Sequence, residues 1–356
     1  MVWPNRADDS LGPARVLKVA AITGGRYIPS ARFRVRQYLP ALLSHDVCIE
    51  EFQTHTIAYP PQQRWMRPAW AAVRLAEMTR VTLQSRRYDV TLLQREMMST
   101  LATLERWTGR PRVLDVDDAI HLYRGGSPAK TLAKKCDRII CGNSHLAEIF
   151  QQWNSDVVVL PTAVDTERYC PRSSSTPRRH IVLGWIGTSA NLRYLQAIEP
   201  ALVTVLKQYP DVLLHVVCDK APKMKKIKSE RMQYTPWSAA SEVEMIQSFS
   251  IGLMPLDDSP WARGKCSFKM LQYMACGIPV VVSPIGMNAD VLKLGDIGLA
   301  AVTDDDWVVA LMQLVEDGIS RGRMGGNGRH IVSRDFSISS IAPRFASYLR
   351  NVSSGA

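Results

Sequence analysis

Short runs of continuous apolar residues alternate with helix-patterned stretches along almost the whole chain, and this alternation limits the fold more than any other feature. The apolar runs are 16–22, 89–93, 113–114, 138–140 and 157–160, then 180–186, 212–217, 251–254, 279–282 and 298–301. A strand with one wet face alternates polar and apolar residues; a strand covered on both faces is apolar throughout, as in parallel sheets flanked by helices. Helical spacing is read over 31–43, 192–209, 267–276, 305–317 and 338–349. The pattern predicts an α/β protein with parallel sheets. Between the two series, residues 171–179 read PRSSSTPRR, a linker composition. Two doubly wound, Rossmann-like domains are expected, at 15–175 and 180–335, followed by a last helix at 336–352 that crosses back to the first domain, the alternative being a helix that finishes covering the second sheet. The length of 356 residues suits two domains of about 150 residues each.

Composition narrows the function classes. Hydrophobic residues make up 46% of the chain, which argues against disorder. No apolar run approaches the roughly 18 residues of a membrane span. Residues 1–13 are short and polar, without a secretory signal, and read as an unstructured leader. The seven cysteines form no CxxC pair, which fits reduced thiols in a cytoplasmic protein and argues against a disulfide framework or a zinc site. The net charge of +11 suits anionic partners: nucleic acid, membrane or phosphorylated ligands. The excess is concentrated at Lys220, Lys223, Lys225, Lys226, Lys228 and Arg231, and at Arg64, Trp65, Met66, Arg67 and Trp70. These are either solvated loops or a patch for anionic lipid headgroups, where each basic residue adds about 1 kcal/mol.

Ligands of open parallel sheets bind beyond the carboxyl ends of the strands, so the chemistry is sought in the loops that follow them. The richest is 261–286, WARGKCSFKMLQYMACGIPVVVSPIG. Arg263, Lys265 and Lys269 fall just before and within a helical run, with Ser267 at the N-cap position. A helix N-terminus with lysines beside it suits the developing charge of a diphosphate leaving group. The alternative is a pair of surface lysines on a capped helix.

The segment LQYMACGIPVVVSPIG resembles the signature helix, Gly-Ile-Pro turn and strand of family-four retaining glycosyltransferases. SIGLMPLDDSPWARGKCSFK, GWIGTSANLRYL, CDRIICGNSHLAEIF and VVVLPTAVDTERY resemble other family segments in order and spacing, so the resemblance spans 16–349. It implies the B-type glycosyltransferase fold, two Rossmann-like domains facing a central cleft, with no cofactor. It implies a nucleoside-diphosphate sugar as donor, and as acceptor a lipid-linked or cell-surface glycan, not nucleic acid. Carried over by position, the donor site comprises Gly187, Thr188, Ser189, Trp237, Gly264, Cys266, Ser267, Phe268 and Gln272, with Arg263, Lys265 and Lys269 stabilising the leaving group. Trp237 either stacks on the base or belongs to the core. One departure stands out: the family's Glu-x7-Glu falls on Gly264 and Gln272. The pattern GKC-x-FK-xx-QYMA is similar to a variant that recurs in bacterial members. A sugar-nucleotide epimerase and a non-catalytic nucleotide binder are the two rival readings.

In the first half, Gly24 and Gly25 follow the first strand, and Arg32, Arg34 and Arg36 follow them. On one helix Arg32 and Arg36 share a face and can hold an acceptor phosphate; an exposed helix face is the alternative. Asp115, Asp117 and Asp118 form DVDD after 113–114. Asp115-Val116-Asp117 resembles a metal-binding Asp-x-Asp, but with lysines already supplying positive charge no metal is expected; Asp117 and Asp118 are placed in the cleft near the acceptor hydroxyl. Arg95, Glu96 and His121 are further cleft candidates.

Overall fold

The structure, a computed structural model, describes residues 15–25, 28–54, 56, 60–173 and 180–355. The leader expected at 1–13 and most of the linker, 174–179, lie outside them.

Among the described residues, twelve strands form two six-stranded sheets. The first holds β1 (Leu17–Ile22), β2 (Val47–Phe52), β3 (Val90–Gln94), β4 (Arg112–Val116), β5 (Arg138–Cys141) and β6 (Val157–Val159), in the order β2-β1-β3-β4-β5-β6. The second holds β7 (Ile181–Gly187), β8 (Val212–Cys218), β9 (Met232–Pro236), β10 (Ile251–Met254), β11 (Val280–Val282) and β12 (Gly298–Ala300), in the order β12-β11-β10-β7-β8-β9. Pairing is parallel between β1 and both its neighbours, and throughout the second sheet. Strands β3 and β4 are buried at every residue, Thr91, Gln94, Arg112 and Asp115 included, as suits strands covered on both faces. The fold class is the expected one: parallel sheets with flanking helices.

The order of each sheet reverses at one place, and in open sheets of this kind ligands bind beyond the strand ends at such a point. In the second sheet this point lies between β7 and β10; in the first it lies between β1 and β3. The chain divides into two compact units, one of Met1–Asp115, Thr131–Arg138 and Ala342–Ala356, the other of Val116–Lys130 and Ile139–Ile341. In the second unit Leu183, Leu214, Leu253 and Val281 of the sheet pack with Leu202, Val205, Trp307 and Leu311 of the helices.

Two expected helices are broken. The stretch 31–43 is a helix Pro29–Arg34, a 3-10 turn Arg36–Tyr38 and a helix Leu39–Leu43, interrupted at Val35, whose φ is −126°. The stretch 192–209 is two helices, Leu192–Ala197 and Glu199–Gln208, because Pro200 has no N–H to continue the first. The last helix, Ile338–Ser354, falls with the first unit from Ala342 onward. There Phe345 meets Tyr38 edge to face at 5.4 Å, Arg138 Nη1 donates to the Tyr348 carbonyl and Arg350 Nη2 to that of His45.

Candidate functional site

At the switch point of the second sheet, β7 ends at Gly187, and Thr188 leads into the 3-10 turn Ser189–Asn191. Asp219, after β8, holds this turn: it accepts from both the backbone N–H and the hydroxyl of Ser189. Asn191 Nδ2 donates to Thr188 Oγ1 at 2.9 Å, and Lys265 Nζ donates to Asn191 Oδ1 at 3.4 Å. Lys265 Nζ also lies 5.9 Å from the Tyr194 ring and 5.7 Å from that of Trp261. Lys269 runs along Gly187: a Cβ there would stand 2.9 Å from Lys269 Cε. Burial, then the charge of Lys265, lowers the Lys269 ammonium to about 8, while Asp118 and Glu242 act the other way. Two lysines therefore converge where the first turn of the helix Phe268–Ala275 carries its positive dipole end.

Ser267 corrects the sequence reading. It occupies the N-cap position, but with a left-handed φ of 49° and no capping bond. Its hydroxyl donates instead to Asn288 Oδ1 at 2.7 Å, and Asn288 donates to the Ser283 carbonyl. Arg263 is exposed and makes two hydrogen bonds to Asp258, at 2.7 and 2.9 Å. Cys266 is buried and its thiol donates to the Asp117 carbonyl at 3.2 Å. Asn143 Nδ2 donates to the Lys265 carbonyl at 3.1 Å. A Cβ on Gly264 would lie 2.7 Å from Ala119 Cβ and 3.2 Å from Ala119 N. The space a side chain at 264 needs is filled by the backbone that follows Asp118.

Farther along the helix, Gln272 is buried and donates to Glu242 Oε1 at 3.4 Å. Trp237, 41% exposed, donates its indole N–H to the same oxygen at 3.3 Å. Tyr169 OH donates to Glu242 Oε2 at 2.6 Å. Glu242 and Tyr169 are absent from the sequence reading. Their contacts span 30 and 73 positions, so no local pattern marks them.

The first-half candidates part company. Arg34 and Asp115, 2% and 1% exposed, form a buried ion pair at 3.0 and 3.1 Å from the guanidinium Nε. Asp115 is thus a structural partner, not the first ligand of an Asp-x-Asp site. Among the described residues no group of three His, Cys, Asp or Glu is placed to hold a metal. Arg36 bonds Glu51 through Nε and Nη2 and the Gly25 carbonyl through Nη2, while Thr23 also donates to Glu51. The break at Val35 removes the shared helix face expected for Arg32 and Arg36; Arg32 stacks on Phe33 at 4.6 Å. Gly24 and Gly25 are buried after β1, Gly25 with a φ of 127° that favours glycine. Arg95 follows β3 with φ 63°, and burial pushes the Glu96 carboxyl up. Asp117 and Asp118 lie in the second unit with the 263–269 loop, whereas His121 has its imidazole held low by burial and by His145.

Residues 180–317 match the family model described as glycosyl transferases group 1. No curated protein sequence matches the chain. Among solved structures, sucrose-phosphate synthase from Thermosynechococcus elongatus is similar over 96% of this chain and 100% of its own, with 13% identity and a TM-score of 0.72. Anabaena HepE, solved with UDP and glucose, is similar over 94% of this chain and 99% of its own, at 15% identity and a TM-score of 0.70. WaaG, a glycosyltransferase involved in lipopolysaccharide biosynthesis, is similar over 93% and 99%, at 12% identity and a TM-score of 0.64. The fold is that of the B-type glycosyltransferases.

Proposed function

From this fold, and from a second unit that matches the group 1 glycosyl transferases, we propose that the protein transfers a sugar, with retention and without a metal, from a nucleoside-diphosphate sugar to a lipid-linked or cell-surface glycan. The observation that carries the reading is Lys269, held along Gly187 with Lys265 beside it, at the switch point of the second sheet. The diphosphate of the donor sits there. The bond between the anomeric carbon and the diphosphate oxygen breaks, and its electron pair leaves with the phosphate. The acceptor oxygen attacks from the same face through an oxocarbenium-like transition state. Its proton passes to a leaving-group oxygen, so no strong protein base is needed. The lysines stabilise charge that grows as the bond breaks, and each such donor contributes about 100- to 1000-fold in rate.

That HepE was solved with UDP and glucose supports a uridine diphosphate sugar as the first donor to test. Turnover of UDP-, GDP-, ADP- and dTDP-sugars by the wild type and by Lys265→Ala/Lys269→Ala is the experiment. Loss of turnover with an unchanged melting temperature supports the site; a fully active double variant sinks it. Gly264 favours a second reading, a nucleotide binder without turnover, which would bind the diphosphate and consume no donor.

No helix among the described residues is long and apolar enough to cross a membrane. We place the enzyme on an anionic membrane surface through the exposed, basic face of the helix Arg67–Ser85, where Trp65 just before it is 80% exposed.

A further inference from the structure

Glu242 opens the helix Glu242–Gln247, is 5% exposed, and gathers three donors: Tyr169 OH, Trp237 Nε1 and Gln272 Nε2. An ionised carboxylate only accepts hydrogen bonds, so it meets the nitrogen end of an amide and not its oxygen. Glu242 therefore fixes which way the Gln272 amide faces. With its nitrogen on Glu242, Gln272 presents its oxygen on the other side. Gln272 lies one turn beyond Lys269, on the same helix. An oxygen held there accepts from the hydroxyls of a ribose whose diphosphate rests on the lysines. The same carboxylate anchors the Trp237 indole by its N–H and leaves part of the ring exposed.

We propose that Glu242 is a positioning residue for the nucleoside: it turns Gln272 oxygen-outward toward the ribose hydroxyls, and it makes glutamine, rather than glutamate, the working residue at 272. This rests on the donor-site reading above. A carboxylate introduced at 272 would face Glu242 at the present hydrogen-bonding distance of 3.4 Å, and two like charges so close do not both stay ionised without cost. An amide at 242 facing a carboxylate at 272 restores one acceptor and one donor with the roles exchanged.

The test is an exchange cycle on the full chain: wild type, Glu242→Gln, Gln272→Glu and the double exchange. For each, calorimetry gives the Kd of whichever of UDP, GDP and ADP binds the wild type tightest and of its 2′-deoxy counterpart, and a melting curve reports folding. Each single exchange is expected to weaken ribonucleotide binding about tenfold and to erase the preference over the 2′-deoxy form, and the double exchange to recover most of both. Recovery in the double variant separates positioning from a merely structural staple. The proposal is overturned if Gln272→Glu alone binds as tightly as the wild type, if the two changes add without recovery, or if Glu242→Gln lowers the melting temperature and keeps the ribose preference. A wild type that binds none of the three nucleotides overturns the donor-site reading and this one with it; binding with an additive cycle overturns this one alone.

Discussion

Gly187 and Lys269 are spatially interdependent: a methyl group on Gly187 would stand 2.9 Å from Lys269 Cε and 2.7 Å from the Trp185 ring. The lysine reaches the end of β7 only because residue 187 has no side chain. Gly187→Ala is expected to push the ammonium off its line and to lower donor turnover toward the level of Lys269→Ala, roughly 100-fold or more. Steady-state kinetics with the best donor measures this. A Gly187→Ala enzyme with wild-type kcat would take Lys269 out of the site.

The lowered Lys269 value sets a pH window. Only the protonated form attracts a diphosphate, and bound diphosphate raises its proton affinity. Nucleotide affinity should be flat below about 8 and fall above it, about tenfold between pH 7 and pH 9 for one proton. Stability has the opposite slope. Between about 8 and the ordinary lysine value of 10.5 the unfolded chain holds the proton that the folded chain releases, so this group's contribution to stability rises with pH. Calorimetric titration of UDP across this range, repeated on Lys269→Arg, checks the assignment; the arginine variant should lose the slope.

Gly264 is where the family resemblance places a glutamate. Restoring it should not raise activity, because the new side chain would collide with Ala119. Overpacking of this kind costs about 1–3 kcal/mol, so Gly264→Glu should melt lower and turn over more slowly. A faster, equally stable Gly264→Glu enzyme would show that the 119 backbone yields freely.

Much of this was legible in the chain. The central strands announce themselves as apolar runs because they are covered on both faces. The strands that escape are edges: β2, VCIEEF, and β9, MQYTP, keep polar residues on exposed positions and carry no such run. The helix Gly318–Asp335 hides behind its glycines, which composition alone reads as breakers. Packing explains them: a Cβ on Gly325 would lie 2.1 Å from the Gly277 carbonyl, so the helix approaches its neighbour only with glycine there. In the site, the basic loop is visible as a local cluster. The bonds of Glu242 to Tyr169 and Gln272 and the Arg34–Asp115 pair are not, since these partners are dozens of positions apart and folding alone brings them together.

That ion pair gives a stability test. Removing one partner takes from a buried charge its ion-pair partner, which costs about 3–5 kcal/mol. Asp115→Leu and Arg34→Met should each lower the denaturation midpoint strongly, while the double variant that combines them loses less than the sum. Additive losses would mean the two groups act independently.

The membrane reading makes its own demand on the helix Arg67–Ser85. Val73 and Leu83 are 52% and 56% exposed on it, Trp65 projects just before it, and Arg64, Arg67, Arg80 and Arg87 lie exposed along or beside it. The one acid in 64–85, Glu77, accepts from the Thr56 backbone N–H. Apolar side chains amid unopposed arginines suit an interface of acyl chains and anionic headgroups, where each arginine adds about 1 kcal/mol and apolar burial adds the rest. The full chain should co-sediment with vesicles of phosphatidylcholine and phosphatidylglycerol, weakly or not at all with phosphatidylcholine alone, and less as salt rises. Arg80→Glu/Arg87→Glu should abolish the preference for anionic vesicles, and Trp65→Ser/Leu83→Ser should weaken binding about tenfold or more at low salt. Variants that sediment as the wild type does would remove this helix from the membrane contact. A change in oligomeric state instead, seen by size-exclusion chromatography, would assign the face to a second copy of the chain.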